Sequence, residues 1–118
     1  MKTKKVIAMF LMGLMVIGLW AEGLNSNALF IKRNDQRLYS KIKAIAIDDW
    51  GDDHGMILYV INNQANSYFV VSDLERDYPK IFISAATDWN RNINGRTCYD
   101  WGMIEYVMKN QIEAQSAY

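Results

Sequence analysis

An apolar run of about 15 residues, Val6–Trp20, lies near the N-terminus of this chain. Lys2, Lys4 and Lys5 precede the run, and a polar stretch, 22–27, follows it. A short basic segment ahead of an apolar core is typical of a secretory signal peptide, in which the lysines stay on the cytoplasmic side. The sequence therefore predicts an N-terminal signal helix that is separate from the folded domain.

Two positions near the end of this segment carry the small residues that a signal peptidase requires. One follows Gly23, with Ala21 two residues earlier, and the other follows Ala28, with Ser26 two residues earlier. Either cut predicts a secreted or periplasmic protein. The alternative is an uncleaved leader that anchors the protein by a single membrane pass, although the run is shorter than the roughly 20 residues that a spanning helix needs.

These positions predict a signal peptide in residues 1–28 and a single small exported domain in residues 29–118. Removing Lys2, Lys4, Lys5 and Glu22 leaves two more acidic than basic residues. Proteins that bind nucleic acid or anionic lipid generally carry a basic excess, so the mature chain is a poor candidate for either function. Membrane association is expected only through an uncleaved leader.

The middle of the chain shows two short runs of β-branched and aromatic residues, 56–61 and 67–72, separated by polar residues. Runs of this composition on either side of a polar loop predict a β-hairpin. Residues 42–47 are also apolar and predict either a third strand of the same sheet or part of a helix that Asp35 caps. Residues 81–83 predict a further strand or the start of a helix that extends through Trp89.

The C-terminal segment predicts a helix over residues 98–115. Thr97 and Asp100 have the spacing of a capping box, and Asn94-Gly95 supplies a turn ahead of them. An apolar stripe follows at helical spacing; its members are Trp101, Ile104, Met108 and Ile112. The expected fold class is therefore α+β: a small antiparallel sheet packed by the C-terminal helix and preceded by the signal helix.

The segment 48–55 combines four carboxylates with the only histidine of the chain. Oxygen-rich loops of this kind suit Ca²⁺, and the metal candidates are Asp48, Asp49, Asp52 and Asp53. Their spacing does not match the calcium loop of helix–loop–helix proteins. A solvated turn stabilised by Asp and Gly accounts for the same residues without a metal. The nearby basic residues expected to offset the repulsion are Lys32, Arg33, Arg37, Lys41 and Lys43.

His54 and Cys98 are the candidates for catalysis. A histidine can act as a general base near neutral pH, and a cysteine at the first position of a helix tends towards the thiolate. The alternative is that Cys98 is a small buried apolar residue beneath Trp101. It is the only cysteine of the chain, so it excludes an internal disulfide and leaves a Cys98-linked homodimer as a further option.

The segment Trp89, Asn90 and Arg91 is the candidate recognition surface, because tryptophan and arginine concentrate binding energy at interfaces. The chain has no phosphate-binding glycine loop, dinucleotide fingerprint, His-x-x-x-His pair or Cys-x-x-Cys pair. The leading hypothesis is therefore a small exported binding module, similar in action to inhibitors or immunity-type proteins. The alternatives are a small hydrolase, metal-assisted or of Cys/His type, that uses residues 48–54, and a membrane-anchored accessory protein.

Overall fold

The computed structural model describes residues 23–118, so the predicted signal helix lies outside the described residues. This part of the chain is mostly helical, with one two-stranded antiparallel sheet. The elements in chain order are α1 Ser26–Asn34, α2 Gln36–Trp50, α3 His54–Asp77, α4 Pro79–Asp88, β1 Asn90–Ile93, β2 Arg96–Tyr99 and α5 Trp101–Ser116. No helix within residues 23–118 combines the length and the apolar character needed to cross a membrane.

The longest element, α3, replaces the β-hairpin predicted for 56–61 and 67–72, and that prediction is wrong. The polar residues 62–67 are not a loop but the middle of this helix. Its buried positions include Ile61, Ala65 and Val71, at the 3.6-residue spacing of a helix. The polar side chains between them bond to neighbouring segments, so tertiary contacts override the strand preference of the flanking residues.

The helical alternative for the segment around 42–47 is correct, and the strand is wrong. Asp35 caps α2 by accepting a hydrogen bond from the backbone N–H of Leu38 at 3.1 Å. Ile42 and Ile45 are each 1% exposed on the inner face of this helix. Residues 81–83 likewise form part of a helix, α4.

The C-terminal helix is confirmed, although it begins at Trp101 rather than at residue 98. Asp100 is its N-cap and accepts from the backbone N–H of Met103 at 3.2 Å, whereas Thr97 and Cys98 belong to β2. Within the predicted stripe, Trp101, Ile104 and Met108 are buried and Ile112 is half-buried.

The core gathers around α3, which packs against α1, α2, α4 and α5. Buried apolar residues come from all five helices: Ala28, Ile31, Ile42, Ala46, Ile61, Ala65, Val71, Ala85, Ala86, Trp101, Ile104 and Met108. The hairpin of β1 and β2 packs mainly against α2, so the sheet is not covered by the C-terminal helix as the sequence predicted.

Candidate functional site

The hairpin that follows α4 turns at Asn94 and Gly95, which both have positive φ angles, 52° and 82°. Asn-Gly with this backbone is the typical two-residue connection between antiparallel strands. Arg91 pairs with Cys98 and Ile93 pairs with Arg96 across the strands. Since side chains alternate along a strand, these four residues share the face that is directed towards α2.

Arg91 joins this hairpin to the C-terminal end of α2. Its Nη1 donates to Asp48 Oδ2 at 2.8 Å and to Asp49 Oδ1 at 2.7 Å. Its Nη2 lies 3.9 Å from Asp100 Oδ2, at the start of α5. The pKa of Arg91 is raised, mainly by the hydrogen bond to Asp49. Partial burial opposes this increase, and the hydrogen bond to Asp48 and the charges of both carboxylates add to it. The guanidinium remains charged at any ordinary pH.

The position of the two carboxylates explains why a cation is needed there. Asp48 and Asp49 lie in the last turn of α2, where the negative end of the helix dipole disfavours carboxylates. The last turn contains no basic residue of its own. Arg91 therefore supplies the counter-charge that was expected from the basic residues of 32–43.

A second set of hydrogen bonds connects Asp100 to the interior. Asp100 Oδ1 accepts from Gln64 Nε2 at 3.0 Å, and Gln64 Oε1 accepts from the backbone N–H of Trp101 at 2.7 Å. Gln64 is only 7% exposed, and both ends of its amide are bonded. The network therefore runs from α2 through Arg91 to α5 and the buried face of α3.

The acidic segment 48–55 is divided between three structural roles. Asp48 and Asp49 end α2 and bind Arg91, Gly51 and Asp52 form the turn, and Asp53 caps α3 by accepting from Met56 N–H at 3.2 Å. Within residues 23–118, no group of three or more His, Cys, Asp and Glu side chains is arranged to hold a metal ion. Calcium binding by this segment stays a prediction.

The two candidates for catalysis occupy different environments. His54 is exposed at the first position of α3. Cys98 is 0% exposed on β2, and its Sγ lies 3.7 Å from the carbonyl oxygen of Arg96. Cys98 therefore lies within a strand and not, as the sequence predicted, at the first position of the C-terminal helix.

The candidate recognition segment is partly used within the fold. Asn90 Nδ2 donates to the carbonyl oxygens of Ala86 at 2.8 Å and Thr87 at 3.1 Å, which closes the end of α4. Arg91 is bound to the carboxylates described above. Trp89 is 39% exposed and leaves part of its ring on the surface.

An open groove of about 480 Å³ lies between α2 and the hairpin, and we call it the α2–hairpin groove. Its lining residues are Ser40, Lys43, Ala44, Ile47, Asp48, Ile93, Asn94 and Arg96. Arg96 Nη1 donates to Ser40 Oγ at 2.9 Å and holds the turn end of the hairpin against α2. No sequence pattern predicted this groove, although Asn94-Gly95 was a signal for the hairpin that forms one wall.

Comparison of the chain with protein-family models, curated proteins and solved structures found no match.

Proposed function

We propose that this chain is a small exported protein that acts by binding another protein through the α2–hairpin groove, in the manner of inhibitors and immunity-type proteins. The leader pattern of residues 1–28 supports export. The excess of acidic residues in the remainder favours a protein partner over nucleic acid.

The observation that carries the proposal is the exposure of Ile47 within a concave surface. Ile47 is 43% exposed and lines the groove together with Ala44 and Ile93. Lys43 and Arg96 also line it and bring charge to the same surface. An apolar centre with charged groups around it resembles the usual anatomy of a protein–protein interface.

The aromatic residue Trp50 extends this apolar surface along α2. It lies three residues after Ile47, which places both side chains on neighbouring parts of one helix face. Trp50 is 41% exposed. Partly exposed tryptophans next to an apolar pocket commonly contribute a large share of binding energy.

The groove has walls that are fixed before a partner arrives. Arg91 connects β1 to the C-terminal end of α2, and Arg96 connects β2 to Ser40 in the N-terminal half of the same helix. A surface held at both ends loses little conformational entropy on binding. This preorganisation favours recognition of a partner by a rigid face.

The proposal is tested by comparing Ile47→Lys with Ile83→Lys. Ile83 is 62% exposed on α4 and does not line the groove, so it is a matched control for the same change in charge and shape. Tagged wild-type protein and both variants are used for affinity capture from the producing cell's envelope and medium. We expect Ile47→Lys to weaken capture of the specific partner about tenfold or more.

Thermal melting of both variants verifies that each is folded. The Ile83→Lys variant is expected to retain the partner at the wild-type level. Equal capture by all three proteins, or no partner common to wild type and the control, would contradict the proposed binding surface.

A further inference from the structure

The first residues of the described chain are tied to α3 by asparagine side chains. Asn62 Oδ1 accepts from the backbone N–H of Asn25 at 2.9 Å, and Asn62 Nδ2 donates to the carbonyl oxygen of Gly23 at 2.8 Å. One turn further along α3, Asn66 Oδ1 accepts from Asn25 Nδ2 at 3.1 Å and Asn27 Nδ2 at 2.9 Å. The segment that precedes α1 is therefore a bonded part of the fold.

Residues 24–28 also begin α1 and contribute to the core. Asn25 is the N-cap of this helix, and its Oδ1 accepts from the backbone N–H of Ala28 at 2.8 Å. Ala28 is 0% exposed within the main core cluster. Leu24 is partly buried and packs against the same cluster.

The two possible cleavage positions therefore have different structural consequences. A cut after Ala28 removes the N-cap, the first turn of α1, a core residue and the bonds to Asn62 and Asn66. Among the hydrogen bonds within residues 23–118, a cut after Gly23 removes the bond from Asn62 Nδ2 to the Gly23 carbonyl and leaves the bond between Asn62 Oδ1 and Asn25 in place.

We infer that the leader is removed by hydrolysis of the Gly23–Leu24 peptide bond and that residues 24–28 remain in the mature protein. A signal peptidase would use water to leave a carboxylate on Gly23 and an amino group on Leu24. Ala21 and Gly23 supply the small residues at the required positions. This inference rests on the export part of the proposed function.

The experiment expresses the full chain in an exporting host and determines the N-terminus of the exported product by intact mass and N-terminal peptide analysis. Two variants accompany the wild type. Ala21→Lys places a large charged residue at the position that the first site requires to be small. Ser26→Lys does the same for the second site and changes an exposed residue at the start of α1.

We expect the wild-type product to begin at Leu24, the Ala21→Lys variant to lose that product, and the Ser26→Lys variant to be processed as wild type. An exported product that begins at Leu29, or any other start, overturns the inference and leaves export intact. An unprocessed product also overturns it, and its recovery from the cytoplasm would contradict export as well.

Discussion

Arg91 is the residue that connects three elements of this protein through its charge. Replacing it with methionine keeps a long apolar side chain but removes the guanidinium from Asp48 and Asp49. Because the side chains in this cluster are one-third to one-half exposed, we expect Arg91→Met to lower the free energy of unfolding by about 1 kcal/mol. The difference should decrease at high salt, because screening weakens exposed ion pairs.

The free energy of unfolding of wild type and Arg91→Met is measured by urea titration at low and high salt. The control is Arg76→Met, measured in the same way. Arg76 lies 3.6 Å from Asp73, and both side chains are at least 70% exposed. Its loss is expected to change the stability little, since an exposed pair of this kind contributes roughly 0–1 kcal/mol. Equal effects of the two substitutions would show that the Arg91 cluster has no special role.

Among the single elements, the sequence predicted α5 from its apolar stripe and a capping box at Thr97 and Asp100, and it gave α2, with Asp35 as its cap, as one alternative to a strand. Asp35 and Asp100 cap these helices in the structure. The sequence did not predict α3, because the asparagine and glutamine residues in the middle of this helix are also typical of a loop. Gln64 and Asn62 have partners more than 35 residues away, in segments that no local window includes.

The candidate site was predictable only in pieces for the same reason. The acidic pair at 48–49 and Arg91 were each identified as unusual, but as a metal candidate and a recognition residue. Their contact joins positions more than 40 residues apart. It depends on the hairpin, and the Asn94-Gly95 signal for that hairpin was interpreted only as a turn before a helix.

The hydrogen bonds of Glu105, which lies on α5, predict how the stability of the protein changes at acid pH. Burial raises the pKa of Glu105, but hydrogen bonds with Lys109 and Ser67 outweigh it, so the pKa in the folded state is lower than usual. Lys109 Nζ lies 2.7 Å from Glu105 Oε2. The unfolded chain therefore binds the proton more readily, and the stability that Glu105 contributes is present above its ordinary pKa and is lost as the pH falls through the folded-state value.

Melting temperatures of wild type and Glu105→Gln, measured between about pH 6 and about pH 3, test this prediction. The variant is expected to be less stable at the upper end and to lose less stability on acidification. Glu113→Gln, an exposed change on the same helix, is the control for removing one negative charge. An unchanged pH dependence in Glu105→Gln would contradict the assigned cause.

The chain has one cysteine and so forms no internal disulfide. The stability of the fold as a whole therefore depends on packing around α3. A two-stranded hairpin is marginally stable alone, so this one depends on its contacts with α2. Cys98 is completely buried on the hairpin face that is directed towards α2. Its thiol should therefore become reactive only when the hairpin separates from α2 or the protein unfolds.

Labelling with a thiol reagent in native buffer and in urea measures this opening directly. We expect slow labelling of the native protein, rapid labelling after unfolding and no Cys98-linked dimer on a non-reducing gel of folded protein. A Cys98→Ala, Thr97→Cys double variant places the thiol at the neighbouring exposed position of the same strand and should label rapidly. Equally rapid labelling of native wild type would show that the hairpin opens independently, and the α2–hairpin groove would then lack the fixed wall on which the proposed binding depends.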